Sequence, residues 1–195
     1  RGAFVRSKFT GSLNIPDSVT YIGNSAFEQC TAFDGDLTIG VGGSGNTTIG
    51  AYAFEDCTGF KGRLNIGNSV KGIGFCAFRN CSGFTGNLVV PDSVTSIEAD
   101  AFKNCSGFDG NLLIGDGVTQ IESSAFENCS GFNGGVIIGK SVTYIHSDAF
   151  ANCTGISGIY FRGDAPTALP ADMESRPFPV DKTLYYIPGN SGWID

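Results

Sequence analysis

Residues 77–97 read AFRNCSGFTGNLVVPDSVTSI, and this pattern recurs along the chain from Ala3 to about residue 164. In each copy an Ala-Phe pair is followed, three residues after its Phe, by Cys (Ser7 in the first copy), then by a second Phe after three more residues (Ile156 in the last copy) and by Gly after two more. A fixed period of this length is typical of solenoids, whose units stack because a single unit cannot bury its apolar face alone. The first aromatic position of each copy is Phe4, Phe27, Phe54, Phe78, Phe102, Phe126 and Phe150.

Each unit has the pattern of a short strand followed by turns. In residues 88–90 and their equivalents, apolar residues alternate with one intervening residue, which indicates a strand. Pro or Gly ends this strand, and Val94 and Ile97 mark a second short strand after the turn. The first Phe and the Cys stand at i and i+3, which predicts one helical turn with both side chains on one face. We therefore predict a mainly β chain with short helical turns, in about seven coils spaced ~4.8 Å apart.

The composition of the chain weighs against several function classes. The 195 residues carry a formal net charge of −7, so the chain repels the phosphate backbone of nucleic acids. No stretch approaches the roughly 18 apolar residues of a membrane span. One histidine and one methionine leave little material for catalysis. We expect no enzymatic activity, no cofactor, no nucleic-acid partner and no membrane span in this segment.

Two motifs suggest chemistry but have simpler explanations. Residues 40–45 match G-x-G-x-x-G, yet the repeat resumes at Thr47, where a dinucleotide site needs a helix. His146, the one histidine, occupies a variable position of the repeat, so we predict an outward turn there and no Ser/His/Asp triad.

The cysteines form a third pattern. Six of the seven recur at the repeat spacing and Cys76 stands apart, without the close pairs that zinc sites use. Cysteines in one column of a solenoid point the same way, which does not suit a disulfide. We therefore predict reduced thiols in the core, where cysteine acts as a small hydrophobe.

The unit in residues 77–97 resembles the repeat of BspA-type leucine-rich repeat proteins, and the resemblance covers about residues 3–164. It departs in its 24-residue period, one residue longer than usual, and in Phe where the family often has Leu. The resemblance implies a right-handed leucine-rich-repeat solenoid with free, buried cysteines. It also implies a cell-surface or secreted protein of an anaerobic bacterium, or less often of a mucosal protist, similar to adhesins that bind host proteins or other cells.

The repeat predicts one domain with two parts, a solenoid over residues 1–164 and a C-terminal cap over residues 165–195. The period breaks after Gly158, and five of the seven prolines lie beyond it. We expect the last full strand at residues 159–161, one more strand within residues 183–187, and Trp193 over the open end of the core. The chain opens in the middle of a unit, so we expect it to be a piece of a longer protein, with a signal peptide and an anchor outside it.

A candidate binding surface follows from the residues between the core positions of the strands. Such residues face outward, and along the stack they change from Asn, Thr and Asn to Val89, Leu113 and Ile137. Three exposed aliphatic residues in register form a contiguous patch of the kind that marks a contact surface. We call these three residues the apolar stripe and expect Asn87 and Asn111 to form its polar rim. The same stripe also suits a contact with a second copy of the chain, or a surface that the C-terminal segment covers.

The tripeptide Arg162-Gly163-Asp164 is an integrin-recognition sequence, and a turn before Ala165-Pro166 exposes it. Because a chain of this size contains this tripeptide by chance in a few per cent of cases, we expect it to be a bystander.

These observations together predict a non-enzymatic cell-surface or secreted binding and adhesion module. It recognises protein partners, of a host or a neighbouring cell, through the exposed face of its repeat sheet, and a glycan is a further possible ligand. The alternative is a glycan-binding or spacer domain of a larger exported enzyme. The oligomeric state stays open at this point.

Overall fold

A computed structural model of the protein describes residues 1–43, 45–166, 177–179, 181–189 and 191–192. These residues form a parallel β-solenoid of about seven coils, which confirms the predicted fold class. The predicted cover by Trp193 lies outside the described residues. The strands are β1 Leu13–Ile15, β2 Tyr21–Ile22, β3 Leu37–Ile39, β4 Thr47–Ile49, β5 Leu64–Ile66, β6 Val70–Ile73, β7 Leu88–Val90, β8 Ser96–Ile97, β9 Leu112–Ile114, β10 Gln120–Ile121, β11 Gly135–Ile138, β12 Tyr144–Ile145, β13 Gly158–Phe161 and β14 Leu184–Tyr186.

Each full coil contributes one strand to each of two faces. The front face contains two parallel sheets, with the strand orders β1-β3-β5 and β14-β13-β11-β9-β7. The back face is one sheet with the order β12-β10-β8-β6-β4-β2. In the front strands β3, β5, β7 and β9 the first and last residues are buried and the middle residue faces out. In β11 Val136 and Ile138 are buried and Ile137 lies between them on the outer side.

The core consists of stacked columns of identical side chains. In the first aromatic column, the ring centroids of Phe54 and Phe78 lie 5.3 Å apart with the planes 1° from parallel. In the second, Phe60 and Phe84 stack at 5.0 Å. All four rings are fully buried. Offset or stacked aromatic pairs at this distance are favourable beyond their burial alone.

The six cysteines of the repeat form a hydrogen-bonded column. The Sγ of Cys81 donates to the carbonyl oxygen of Phe54 in the preceding coil, at 3.0 Å, and the other five make the same bond at 2.9 to 3.1 Å. All seven cysteines are buried and free, as predicted. Each repeat thiol therefore satisfies a carbonyl as well as filling space.

The segment between the first Phe and the Cys forms a tight turn, where we predicted a helical one. The Cys81 N–H donates to the Phe78 carbonyl at 3.1 Å, and Asn80 between them has a φ of 64°. The N–H groups of Phe78 and Asn80 donate instead to carbonyls of the next coil, at 2.8 Å. The next coil thus takes the donors that a helix would use internally, and no described residue is helical. The i and i+3 side chains still share one face, as the spacing requires.

Asparagine recurs at this left-handed position for two reasons. Asn and Asp tolerate positive φ better than other residues with a side chain. The amides also form a ladder, in which the Nδ2 of Asn104 donates to the Oδ1 of Asn80 at 2.6 Å and the Nδ2 of Asn128 to the Oδ1 of Asn104 at 2.8 Å.

The C-terminal segment begins another coil. Its strand β14 pairs with β13, and both lie where the sequence predicts strands. Phe178 stacks on Phe150 with centroids 4.9 Å apart, and the Phe150 N–H donates to the carbonyl of Pro177 at 3.0 Å. The pair Pro177-Phe178 therefore takes the place of Ala-Phe. We did not predict this role for Phe178, because the interval is 28 residues and Pro replaces Ala.

Candidate functional site

The apolar stripe lies where the sequence predicts it. Parallel pairing sets Val89 beside Leu113, and Leu113 beside Ile137. We predicted three exposed side chains, and only Val89, at 44%, is exposed. Leu113 and Ile137 are half-buried, because each lies between two paired neighbours on the front face. The three side chains therefore form a continuous apolar surface on the front face.

The rim residues Asn87 and Asn111 immediately precede two of these strands. The Oδ1 of Asn87 accepts the backbone N–H of Asn111 at 2.8 Å, and the Oδ1 of Asn111 accepts that of Gly135 at 2.8 Å. Both residues are exposed. Within the described chain, the Nδ2 groups of these amides have no protein acceptor and are available to a ligand.

Two tyrosines that we did not predict extend the stripe. Tyr160 pairs with Ile137, and Tyr185 pairs with Tyr160. The two rings are 42% and 46% exposed. They lie over glycines, since a Cβ at Gly135 would come within 2.9 Å of the Tyr160 ring, and one at Gly158 within 2.9 Å of the Tyr185 ring. Tyr160 stands 23 residues after Ile137, so the near-repeat spacing was a usable signal.

The C-terminal segment does not cover the stripe in the part that the structure describes. Its strand β14 lies beside β13 as the next strand of the front face. Tyr185, which belongs to this segment, adds to the exposed surface.

The tripeptide at residues 162–164 is exposed at both charged positions, but both groups have partners in the chain. The Nη1 of Arg162 lies 3.1 Å from the Oδ1 of Asp116. The Oδ1 of Asp164 accepts the backbone N–H of Ser191 at 2.6 Å. These contacts give both charged residues a structural role.

His146 lies beside a carboxylate and two hydroxyls, but in the wrong arrangement for a triad. Its Nδ1 is 2.5 Å from the Oδ1 of Asp148, and the hydroxyls of Ser123 and Ser124 donate to the other carboxylate oxygen at 3.1 and 2.9 Å. A nucleophilic serine would instead bond the imidazole. Burial raises the pKa of Asp148, but the hydrogen bonds from Ser124, His146 and Ser123 outweigh it and lower the pKa to about 2.

Other features of reactive sites are missing from the described residues. No group of three or more His, Cys, Asp or Glu side chains among them is placed to hold a metal ion. In the same part of the chain, no helix has the length and apolar character to cross a membrane. Burial raises the pKa of the Cys57 thiol to about 12, which disfavours the reactive thiolate.

Comparisons with known proteins agree with the geometry. The model of the family described as the BspA type leucine rich repeat region matches the chain in six copies, over residues 1–81 and 47–167. No curated protein sequence matches the chain.

Two solved structures are similar to the chain. A leucine-rich repeat protein from Bacteroides ovatus ATCC 8483 has a TM-score of 0.63 at 25% identity, over 82% of this chain and 40% of that chain. A leucine rich cell surface protein from Faecalibacterium prausnitzii A2-165 has a TM-score of 0.36 at 17% identity, over 94% of this chain and 79% of that chain. The chain therefore spans 40% of the length of the Bacteroides protein.

Proposed function

The chain belongs to the BspA-type leucine-rich repeat family, and on this premise we propose that it is a non-enzymatic binding module of a cell-surface or secreted protein. It recognises a protein of a host or of a neighbouring cell through the outer front face. The observation that carries this proposal is the apolar stripe, continued in register by Tyr160 and Tyr185.

The chemistry of the stripe supports a protein partner. Contiguous exposed apolar patches usually mark contact surfaces, and tyrosine is enriched in protein interfaces. The amide groups of Asn87 and Asn111 supply polar contacts at the edge. The stripe is also rigid, because its residues lie in a continuous strand ladder above a packed core. A rigid surface loses little conformational entropy on binding.

The remaining parts of the proposal follow from the family and from charge. The family supports a location at the cell surface or outside the cell. The net charge of −7 weighs against a nucleic-acid partner.

A photo-crosslinking experiment tests the proposal. Benzoylphenylalanine is placed either at Leu113 on the front face or at the exposed Gln120 on the back face, and each labelled protein is applied to intact epithelial and bacterial cells. We expect a discrete crosslinked cell protein from position 113 only. Crosslinks from position 120 alone, or equal crosslinks from both, would place the contact elsewhere. The absence of crosslinks from both would favour a spacer domain.

A further inference from the structure

The front face has a seam between its two sheets. Strands β5 and β7 are neighbours in the stack, yet in the described chain no hydrogen-bonded ladder joins them. Every other pair of adjacent front strands is joined.

The first cause of the seam is Arg63. At this position of the repeat a side-chain oxygen normally accepts a backbone N–H from the next coil, as Ser12 Oγ does from Asp36 at 3.0 Å and Asn87 Oδ1 from Asn111 at 2.8 Å. Asp36 does the same for the N–H of Arg63, at 2.7 Å. A guanidinium only donates hydrogen bonds. Arg63 therefore offers no acceptor to the N–H of Asn87.

The second cause is Pro91. After β3, β5 and β9, the N–H of Gly40, Gly67 and Gly115 donates to the last carbonyl of the front strand in the preceding coil, at 2.8 to 2.9 Å, and after β13 the N–H of Arg162 does so at 3.0 Å. Proline has no N–H, so Pro91 makes no such bond to Ile66.

The coil after the seam begins a new sheet in the same way as the first coil of the chain. Gly86 has a φ of 78° and its N–H donates to the Oδ1 of Asp109 at 2.6 Å. Gly11, before β1, has a φ of 79° and donates to the Oδ1 of Asp34 at 2.7 Å. Arg63, Pro91 and Gly86 thus all favour a break in the front sheet between β5 and β7.

The seam opens into a groove of about 480 Å³. Its polar lining includes Arg63, Asn65, Asn87 and Asp109, and Val89 contributes an apolar side. Asp109 uses one carboxylate oxygen and Asn87 uses its Oδ1 within the protein, while Asn65 donates from Nδ2 to Thr38. In the described chain, two donors (the guanidinium of Arg63 and the Nδ2 of Asn87) and two acceptors (the Oδ1 of Asn65 and the Oδ2 of Asp109) are left for a ligand.

We propose that this groove binds a neutral saccharide. Sugar hydroxyls donate and accept at once, which suits two donors and two acceptors around one pocket. The opposite charges of Arg63 and Asp109 favour a ligand without net charge, and Val89 suits the C–H face of a sugar ring. The volume lies in the range of small-molecule sites.

Titration of the ¹⁵N-labelled chain with neutral trisaccharides tests this inference. The probes are maltotriose, cellotriose, mannotriose and triacetylchitotriose at millimolar concentration. We expect at least one of them to shift the side-chain resonances of Arg63 Nε, Asn65 and Asn87. The inference is overturned if none of the four does so, or if only a charged sugar or a peptide does.

Arg63→Asn is the decisive variant, because it supplies the missing acceptor for the Asn87 N–H and removes the guanidinium. We expect saccharide affinity to fall at least about 10-fold, because the variant loses one hydrogen bond from a charged group to the sugar. Lys61→Asn removes the same charge at an exposed position outside the groove lining and leaves the affinity unchanged. Equal affinity of wild type and Arg63→Asn contradicts the site.

A second variant covers the case in which Arg63→Asn disturbs the fold. Asn65→Ala removes one acceptor from an exposed side chain, and we expect it too to weaken the same saccharide. The groove shares Val89 and Asn87 with the proposed protein-binding surface, but Leu113 is not part of its lining. We therefore expect Leu113→Asp to leave saccharide binding intact, which separates the two proposals.

Discussion

The rings of Tyr160 and Tyr185 stack on the outer front face with centroids 4.6 Å apart and planes 8° from parallel. Strand β14, which carries Tyr185, is thereby held in register with β13. The C-terminal segment in this way adds a coil to the solenoid and lengthens the exposed surface that begins at Val89.

The stacked core predicts a steep cost for interrupting an aromatic column. Phe102 lies fully buried between Phe78 and Phe126, with centroids at 5.2 and 5.3 Å. We expect Phe102→Ala to lower the free energy of unfolding by about 3–5 kcal/mol. The control Phe9→Ala, at a ring that is 47% exposed, should cost about 1 kcal/mol or less. Chemical denaturation measures both, and equal costs would contradict a continuous core.

The thiol column predicts reactivity that depends on unfolding. All seven cysteines are free and buried, and burial raises the pKa of Cys57 to about 12. We expect thiol titration in denaturant, without reductant, to count close to seven groups, and the native protein to react far more slowly. A count of two or fewer in denaturant would show that the thiols are paired.

The lowered pKa of Asp148 predicts a defined loss of stability in acid. Its folded pKa of about 2 lies below the ordinary 3.8, so the folded state favours the ionised carboxylate. The contribution is fully present above pH 3.8 and is lost as the pH falls through about 2. Because the side chain is 41% exposed, we discount the effect for screening to about 1 kcal/mol. Asp148→Asn should remove this part of the pH dependence, and an unchanged profile would refute the assignment.

The contacts of the tripeptide predict that it does not mediate adhesion. Asp164 accepts a hydrogen bond from Ser191, and Arg162 pairs with Asp116. We expect Asp164→Glu to leave cell binding unchanged, and a competing peptide with this tripeptide to have no effect. Loss of binding in either experiment would make the tripeptide a site.

The repeat predicts the solenoid, its aromatic columns and the position of the stripe, because every coil repeats one packing problem. It does not predict the turn at Asn80, since an i, i+3 spacing fits a helical turn and a tight turn equally. The core position of Phe178 and the place of Tyr185 on the front face were not predicted, because both residues follow the break in the period. We did not predict the seam, because the effects of Arg63 and Pro91 depend on hydrogen bonds between coils that no single unit displays.

Binding to intact cells tests the central claim most directly. Fluorescent wild-type protein, Leu113→Asp and Val41→Asp are compared by flow cytometry on epithelial and bacterial cells, with circular dichroism as the check on folding. Val41 is the matched control, an apolar side chain that is 62% exposed away from the stripe. We predict that Leu113→Asp keeps its fold and loses at least about 10-fold in affinity, while Val41→Asp binds like wild type. Undiminished binding by Leu113→Asp, or its unfolding, would contradict the assignment of the stripe as the binding surface.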